Sequence, residues 1–305
     1  MPVAHRTLKG VSVSIVGIGG SSLGDITDES EAGRIVDEAL DNGINFFDNA
    51  WEYHNGMSEE RVGRLLRGKR DRAFVMTKVC SHGRNKQVAL SQLEDSLRRL
   101  QTDHLDLWQI HEVVYDNDPD LHFAPDGAVE ALTQAKQQGK VRFVGFTGHK
   151  DPDIHLAMLS HRYPFDTVQM PVNPFDKNYR SFQEHVLPEA QRQGIAVISM
   201  KSMGGGGEPV KAGAATPQEL LRYALSTPGV LTTVSGLDSY AVFKQNLATA
   251  LAFTPMSADE RAALERRVAG VAGDGRLELY KSTKTYDAAV GRREHHFPPS
   301  EELPA

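Results

Sequence analysis

The chain has 305 residues, of which 34 are basic and 40 acidic, for a formal charge of −6. That length suits two ordinary domains or one α/β barrel of about 250 residues, and since no segment combines Lys, Arg and aromatic residues, nucleic acid is not an expected partner. A single cysteine, Cys80, permits no internal disulfide and no cysteine-built metal centre, no apolar run is long enough for a bilayer and the amino terminus lacks an export signal; a cytoplasmic protein without membrane partners is expected.

Short apolar or β-branched runs alternate with longer segments of helical period, and the pairs number eight. Strands are predicted at 13–17 (VSIVG), 44–48 (INFFD), 73–78 (AFVMTK), 105–111 (LDLWQIH), 141–147 (VRFVGFT), 165–170 (FDTVQM), 195–201 (IAVISMK) and 229–235 (GVLTTVS). The helices between them fall at 30–41, 58–67, 87–100, 126–138, 151–161, 181–193, 217–226 and 239–251. Thr216 caps one of them, with Pro217 in its first turn, and glycines in DNGIN, QQGKV and RQGIA end others.

Repeated β-then-α order implies parallel strands with right-handed crossovers, and eight units favour a closed (β/α)8 TIM barrel over a doubly wound sheet. The dinucleotide fingerprint needed for the latter fails, because Ser22 stands where the third glycine is required after Gly17 and Gly19. One domain over 1–305 is expected, with the βα units at about 10–252 and an additional C-terminal helix and tail at 253–305. Ser257 caps that helix. The polar tail reads either as a loosely held terminus or as a flap over one barrel face.

In such a barrel the chemistry lies where the strands end. Those positions hold Asp48, Lys78, His111 with Glu112, Thr147 with His149, Gln169, Lys201 and Ser235. Each has an ordinary explanation alone, as a loop cap, a solvated charge or a hydrogen-bonded histidine. Neighbouring strand ends bring Asp48, Lys78 and His111 together, with Tyr53 reaching in from the loop FDNAWEYHNG. An ammonium beside a phenol is expected to lower the tyrosine's pKa, which suits Tyr53 to deliver a proton to a carbonyl oxygen. Such a reaction needs a hydride that no side chain supplies. Gln169 and Thr147 suit the carboxamide of a nicotinamide cofactor, and the run MKSMGGGG offers free amides and a lysine to a pyrophosphate.

The segments FDNAWEYHNGMSEERVGRLLRG, VMTKV, DLWQIHEV, VRFVGFTGH, VQMPVN and GLDSYAVFKQNLATAL together resemble the aldo-keto reductases. The resemblance implies a NAD(P)-dependent oxidoreductase acting on a small-molecule carbonyl or alcohol, as a monomer or homo-oligomer, with Tyr53 as general acid, Asp48 and Lys78 tuning it and His111 orienting the carbonyl. It assigns cofactor binding to Thr147, Gln169, Met200, Lys201, Met203, Gly204, Gly205, Gly236, Gln245 and Asn246. No metal is implied. Departures include Thr147 and Gly148 where the family has Ser-Asn, Met200 where an aromatic residue often stacks on the nicotinamide, and Asp238 near the 2′-phosphate position, so NADP and NAD both remain open. Trp51, Glu52, His54, Tyr115 and the loop around Lys177 and Tyr179 are expected to line the substrate pocket. A non-catalytic nicotinamide-binding subunit, and a metal or Schiff-base isomerase or lyase on the same barrel end, are the alternatives.

Overall fold

The computed structural model describes residues 1–80 and 85–303. Ten strands are present among them: β1 (His5–Leu8), β2 (Val11–Ser14), β3 (Val16–Gly19), β4 (Phe46–Asp48), β5 (Phe74–Cys80), β6 (Leu105–His111), β7 (Val141–Thr147), β8 (Thr167–Pro171), β9 (Ala196–Met200) and β10 (Val230–Ser235). β3 to β10 are all parallel and close into an eight-stranded barrel, β10 pairing with both β3 and β9.

The predicted first strand at 13–17 is corrected. Its front half belongs to β2, which pairs antiparallel with β1, and its back half to β3 of the barrel. Ser14 makes the break: its hydroxyl donates to Val16 O at 2.7 Å and accepts from Asn45 N–H at 3.1 Å, so the chain bends where a continuous strand was expected. The hairpin closes the amino-terminal end of the barrel, where Leu8 and Val13 pack with Phe46, Phe74, Met76, Leu107, Phe143, Ile198 and Leu231.

Strand side chains alternate in direction, so every second residue enters the barrel. Phe46 stacks on Phe74 with ring centroids 5.2 Å apart, and Phe74 on Phe143 at 6.3 Å. Gly17 leaves space for Phe46, since a Cβ there would run into its ring. Two or four residues further along the same strands, Asp48, Lys78, His111 and Thr147 follow in the same phase. A filled apolar floor therefore carries a polar upper layer. The alternate set, including Phe47, Val75, Trp108, Ile110, Val144 and Val168, packs outward with the helices.

Those helices begin where capping side chains stand. Asp28, Asn85, Asp151, Ser181 and Ser239 each accept from an amide of the first turn, while Thr216 with Glu219 and Ser257 with Glu260 form capping boxes. Among the described residues no helix is long and apolar enough to cross a membrane.

The tail resolves its two readings in favour of a cover. After the helix Ala258–Ala272 the chain returns over the carboxyl ends of the strands. Tyr280 Oη accepts from Asn173 Nδ2 at 2.9 Å, Lys281 Nζ donates to Asp176 Oδ1 at 2.7 Å, and Ala288 N–H donates to Glu112 Oε1 at 2.6 Å. Tyr280 and Lys281 are almost wholly buried. Polar groups buried this deeply stay only because they are paired.

Candidate functional site

Lys78 sits at the centre of the upper layer with 1% of its surface exposed. Its ammonium forms an ion pair with Asp48 Oδ1, donates to Asn49 O at 2.8 Å and lies 3.4 Å from Tyr53 Oη. The second Asp48 oxygen accepts from Gln169 Nε2 at 2.8 Å, so a continuous chain of contacts runs from Tyr53 across the barrel mouth to β8. His111 faces Tyr53 edge-on, ring centroids 5.6 Å apart. Asp48, Tyr53, Lys78, His111 and Gln169 thus gather in one place.

The loop after β4 explains how Tyr53 reaches that place. Asn49 and Trp51 donate backbone N–H groups to Met76 O and Lys78 O, at 3.0 and 3.1 Å, and a turn of 3-10 helix, Tyr53–Gly56, follows. Inside it His54 and Asn55 have φ of 52° and 55°, a left-handed conformation that costs free energy in non-glycine residues and is held by its surroundings.

Electrostatics reverse one expectation. Burial raises the Tyr53 hydroxyl well above the ordinary phenol range, and the charges of Asp48, Glu52 and Glu112 add to it; Lys78 does not outweigh them. Tyr53 is therefore a neutral phenol near pH 7, a proton donor rather than a phenolate. Burial lowers the His111 pKa, opposed by Glu52, so its imidazole is neutral there too. Burial also raises Glu112 well above the carboxylate range, helped by the charge of Glu52.

The residues expected to line a pocket divide. Glu52 is buried with Oε1 2.7 Å from His111 Nδ1, a role that spacing alone did not suggest. Trp51 points away, its ring 5.8 Å from that of His295 in the tail and its carbonyl accepting from Arg99 at 2.9 Å. His54 turns to the short helix Gly20–Asp25 that follows β3, with Nε2 2.8 Å from Ser21 O. Tyr115 lies half-buried under the Arg292 guanidinium, 4.4 Å above its ring. Lys177 pairs with Glu265 at 2.9 Å, and Tyr179 O accepts from Lys281 at 2.7 Å.

The residues expected to face a nicotinamide group present donors and acceptors of their own. Gln169 Oε1 is buried without a hydrogen-bond partner, an open acceptor beside Asp48 and Lys78. Thr147 Oγ1 approaches Met200 Sδ at 3.9 Å. In the loop after β9, Lys201, Gly204, Gly205 and Gly207 all have positive φ, the geometry that turns successive amides to one side, and Met203 packs against the core. Gly206 N–H already donates to Glu208 Oε2 at 3.0 Å, and Lys201 lies 4.2 Å over the Tyr286 ring. Burial pulls the Lys201 ammonium down to about 8.

At the far end of this arc, Asn246 Nδ2 donates to Ser235 Oγ at 3.0 Å and Gly236 O at 3.2 Å, so it holds the loop; Gln245 beside it is half-buried. Ser22, the residue that broke the glycine fingerprint, accepts from Leu237 N–H at 2.8 Å. The amino end of helix Tyr240–Leu251 receives a carboxylate of the protein itself: Glu31 Oε1 accepts from Tyr240 N–H at 2.6 Å. The neighbouring cations are engaged, Lys244 with Glu38 and Arg34 at 3.5 Å over the Tyr240 ring.

The sequence pattern of the aldo/keto reductase family matches residues 15–209. Among curated relatives, the aldo-keto reductase YhdN of Bacillus subtilis is 31% identical over 210 residues, covering 64% of this chain and 60% of that protein's length, and L-galactose dehydrogenase of Arabidopsis thaliana is 32% identical over 212 residues, covering 65% of this chain and 64% of its own. The chain thus spans less than two thirds of the length of either relative. Aldo-keto reductase AKR11C1 of Bacillus halodurans, in its holo form, superposes with a TM-score of 0.73 at 28% identity over 87% of this chain and 96% of its own. The Klebsiella pneumoniae aldo/keto reductase in complex with NADP and acetate, 24% identical over 88% of this chain and 96% of its own with a TM-score of 0.71, shares the fold. With its closed (β/α)8 barrel and this extent of matching sequence, the chain belongs to the aldo/keto reductase family, a family of oxidoreductases.

Proposed function

We propose that the protein interconverts a carbonyl and an alcohol with a nicotinamide dinucleotide, and that Tyr53 is the proton donor in the reducing direction. The observation that carries this is the buried cluster in which Lys78 touches both Asp48 and Tyr53. When bound, the cofactor supplies a hydride to the carbonyl carbon, which no side chain can do. Gln169 and Thr147 are the residues that would hold its carboxamide, the 200–205 loop its pyrophosphate, and Gly236, Gln245 and Asn246 its adenosine end.

The protein's own contribution is placement and a proton. Tyr53 donates its hydroxyl proton to the carbonyl oxygen as negative charge gathers there, and Lys78, 3.4 Å from the phenolic oxygen, stabilises the phenolate that remains. Asp48 keeps that ammonium charged and aimed. His111 lies beside Tyr53 with its Nδ1 turned to Glu52, which leaves Nε2 for the substrate oxygen. The tail covers the site, and with bulk water excluded each of these interactions is stronger.

The substrate class comprises aldehydes, ketones and sugar-like alcohols. The plant relative is by name a dehydrogenase of a sugar, and the mouth of this barrel is rich in hydrogen-bonding groups. A single buried thiol, Cys80, suits a reducing cytoplasmic setting. The test is nicotinamide fluorescence titration with NADH and NADPH, followed by a screen of aldehydes, ketones and sugars in both directions. Binding of neither nucleotide would overturn the proposal.

A further inference from the structure

Two groups that the reaction above does not use hold the Glu52 carboxylate. Its Oε1 lies 2.7 Å from His111 Nδ1, its Oε2 accepts from the Cys80 thiol at 3.7 Å, and the carboxylate also accepts from the backbone of Gly291 in the tail. Burial alone would raise the Glu52 carboxyl, yet these contacts outweigh it and leave the group below its ordinary value, charged near pH 7. A carboxylate buried this deeply keeps its charge and its aim only through such partners.

The tail and the thiol are fitted to one another. Gly291 stands in the first turn of the short helix Val290–Glu294, where a Cβ would run into Cys80 Sγ and sit 3.1 Å from Glu52 Oε2. The missing side chain is what lets the tail backbone reach the carboxylate. Cys80 ends β5, and its N–H donates to Gln92 Oε1 at 2.8 Å; Gln92 Nε2 in turn lies 2.6 Å from Nε2 of His295, four residues beyond Gly291. Tail helix, strand end and the helix Lys86–Leu100 thus close together around the second oxygen of Glu52.

We propose that Gly291 and Cys80 are positioning residues for the reaction: together they fix the Glu52 carboxylate, which fixes the His111 ring beside the substrate oxygen. The tail then acts on turnover through Gly291, Glu52 and His111 in series, and not only as a cover. This rests on the oxidoreductase reading above and adds to it two residues that act through another. A reacting group misplaced by about 1 Å costs on the order of 10²-fold in rate, so a small shift at Glu52 is measurable at the chemistry.

The consequence is readable in Gly291→Ala. Its methyl group forces either the Cys80 thiol to rotate or the tail helix to withdraw, and each movement takes one donor from Glu52. In the full-length protein kcat for carbonyl reduction is expected to fall about tenfold while the affinity for NADH stays near that of wild type. His111, which Glu52 holds up against burial, is expected to titrate at lower pH, Lys78 and Asp48 being unchanged beside it. Adding Cys80→Ala removes the collision and is expected to return kcat to the level of the Cys80→Ala single variant.

The decisive comparison uses Glu52→Gln. In that background Gly291→Ala is expected to cost almost nothing further, because both changes act through one group. An equal further loss there, or an unchanged kcat and His111 titration in Gly291→Ala alone, overturns the proposal. Should Gly291→Ala fail to fold, Cys80→Ser and Cys80→Ala decide: the serine keeps a donor and is expected to keep turnover and the pH profile of kcat/KM, while the alanine lowers the one and shifts the other. Wild-type behaviour of both overturns the proposal. Absence of wild-type turnover with every aldehyde, ketone and sugar overturns the oxidoreductase reading instead, and the His111 ring signals by NMR, which need no substrate, still decide whether Gly291 acts through Glu52.

Discussion

Nδ1 of His111 stands 2.7 Å from Oε1 of Glu52, the residue immediately before Tyr53. One loop therefore brings both the proposed acid and the group that orients its histidine neighbour. Glu52 opposes the burial that lowers the His111 pKa. In Glu52→Gln that opposition is lost, so His111 is expected to titrate at still lower pH, and kcat/KM for carbonyl reduction to fall by about 10- to 100-fold, the weight of a group acting through the residue it positions. The checks are the His111 ring signals by NMR and the pH profile of kcat/KM, with Glu52→Asp restoring part of both. An unmoved His111 titration would break the link between the two residues.

Tyr53→Phe removes the proposed proton donor while keeping its ring beside His111. Loss of a positioned acid costs about 10²- to 10⁴-fold, so turnover is expected to drop by at least that range while the affinity for NADH stays within a few fold. Stopped-flow hydride transfer and fluorescence titration separate the two effects. Retained turnover would remove Tyr53 from the chemistry.

The adenosine end of the proposed cofactor site carries its own negative charge. Glu31 already accepts from the first amide of helix Tyr240–Leu251, Lys244 is committed to Glu38 and Asp238 lies one residue before the cap. A 2′-phosphate would meet like charge there, so NADH is expected to bind about tenfold or more tightly than NADPH. Glu31→Gln combined with Asp238→Arg is expected to narrow or invert that ratio. Equal affinities in wild type would show that the phosphate finds another cation.

His155 sets an acid limit to stability. It is fully buried between Phe146 and Phe182, with centroids at 5.1 and 4.9 Å, and burial lowers its pKa to about 3. Between the ordinary histidine value of 6.5 and about 3, the unfolded chain takes up a proton that the folded chain refuses, so stability falls as pH drops through this window. The slope from one such group is about 1.4 kcal/mol per pH unit. In His155→Phe that component disappears, and urea melts between about pH 4.5 and 7.5 are expected to show a shallower acid dependence. Identical slopes in both proteins would mean that His155 is protonated in the fold.

The eight βα beats, the helix caps at Thr216 and Ser257, and the set Asp48, Tyr53, Lys78 and His111 were all legible in the linear chain. The reason is local: strand alternation, capping chemistry and turn residues act over a few positions, and a closed barrel turns strand order directly into spatial neighbourhood. The hairpin at the amino end was not legible, because the apolar run VSIVG is continuous and only the Ser14 contacts with Val16 and Asn45 split it. The direction of the Tyr53 pKa shift also depended on tertiary structure. Lys78 is visible in the chain, whereas burial and the convergence of Asp48, Glu52 and Glu112 are sums over residues far apart in sequence. For the same reason the approach of Glu52 to His111, and the burial of Tyr280 and Lys281 in the returning tail, rest on contacts between residues far apart in sequence. Short-range preferences thus determined the barrel and which strand ends carry its polar residues; long-range packing decided which charges meet there and in what protonation state.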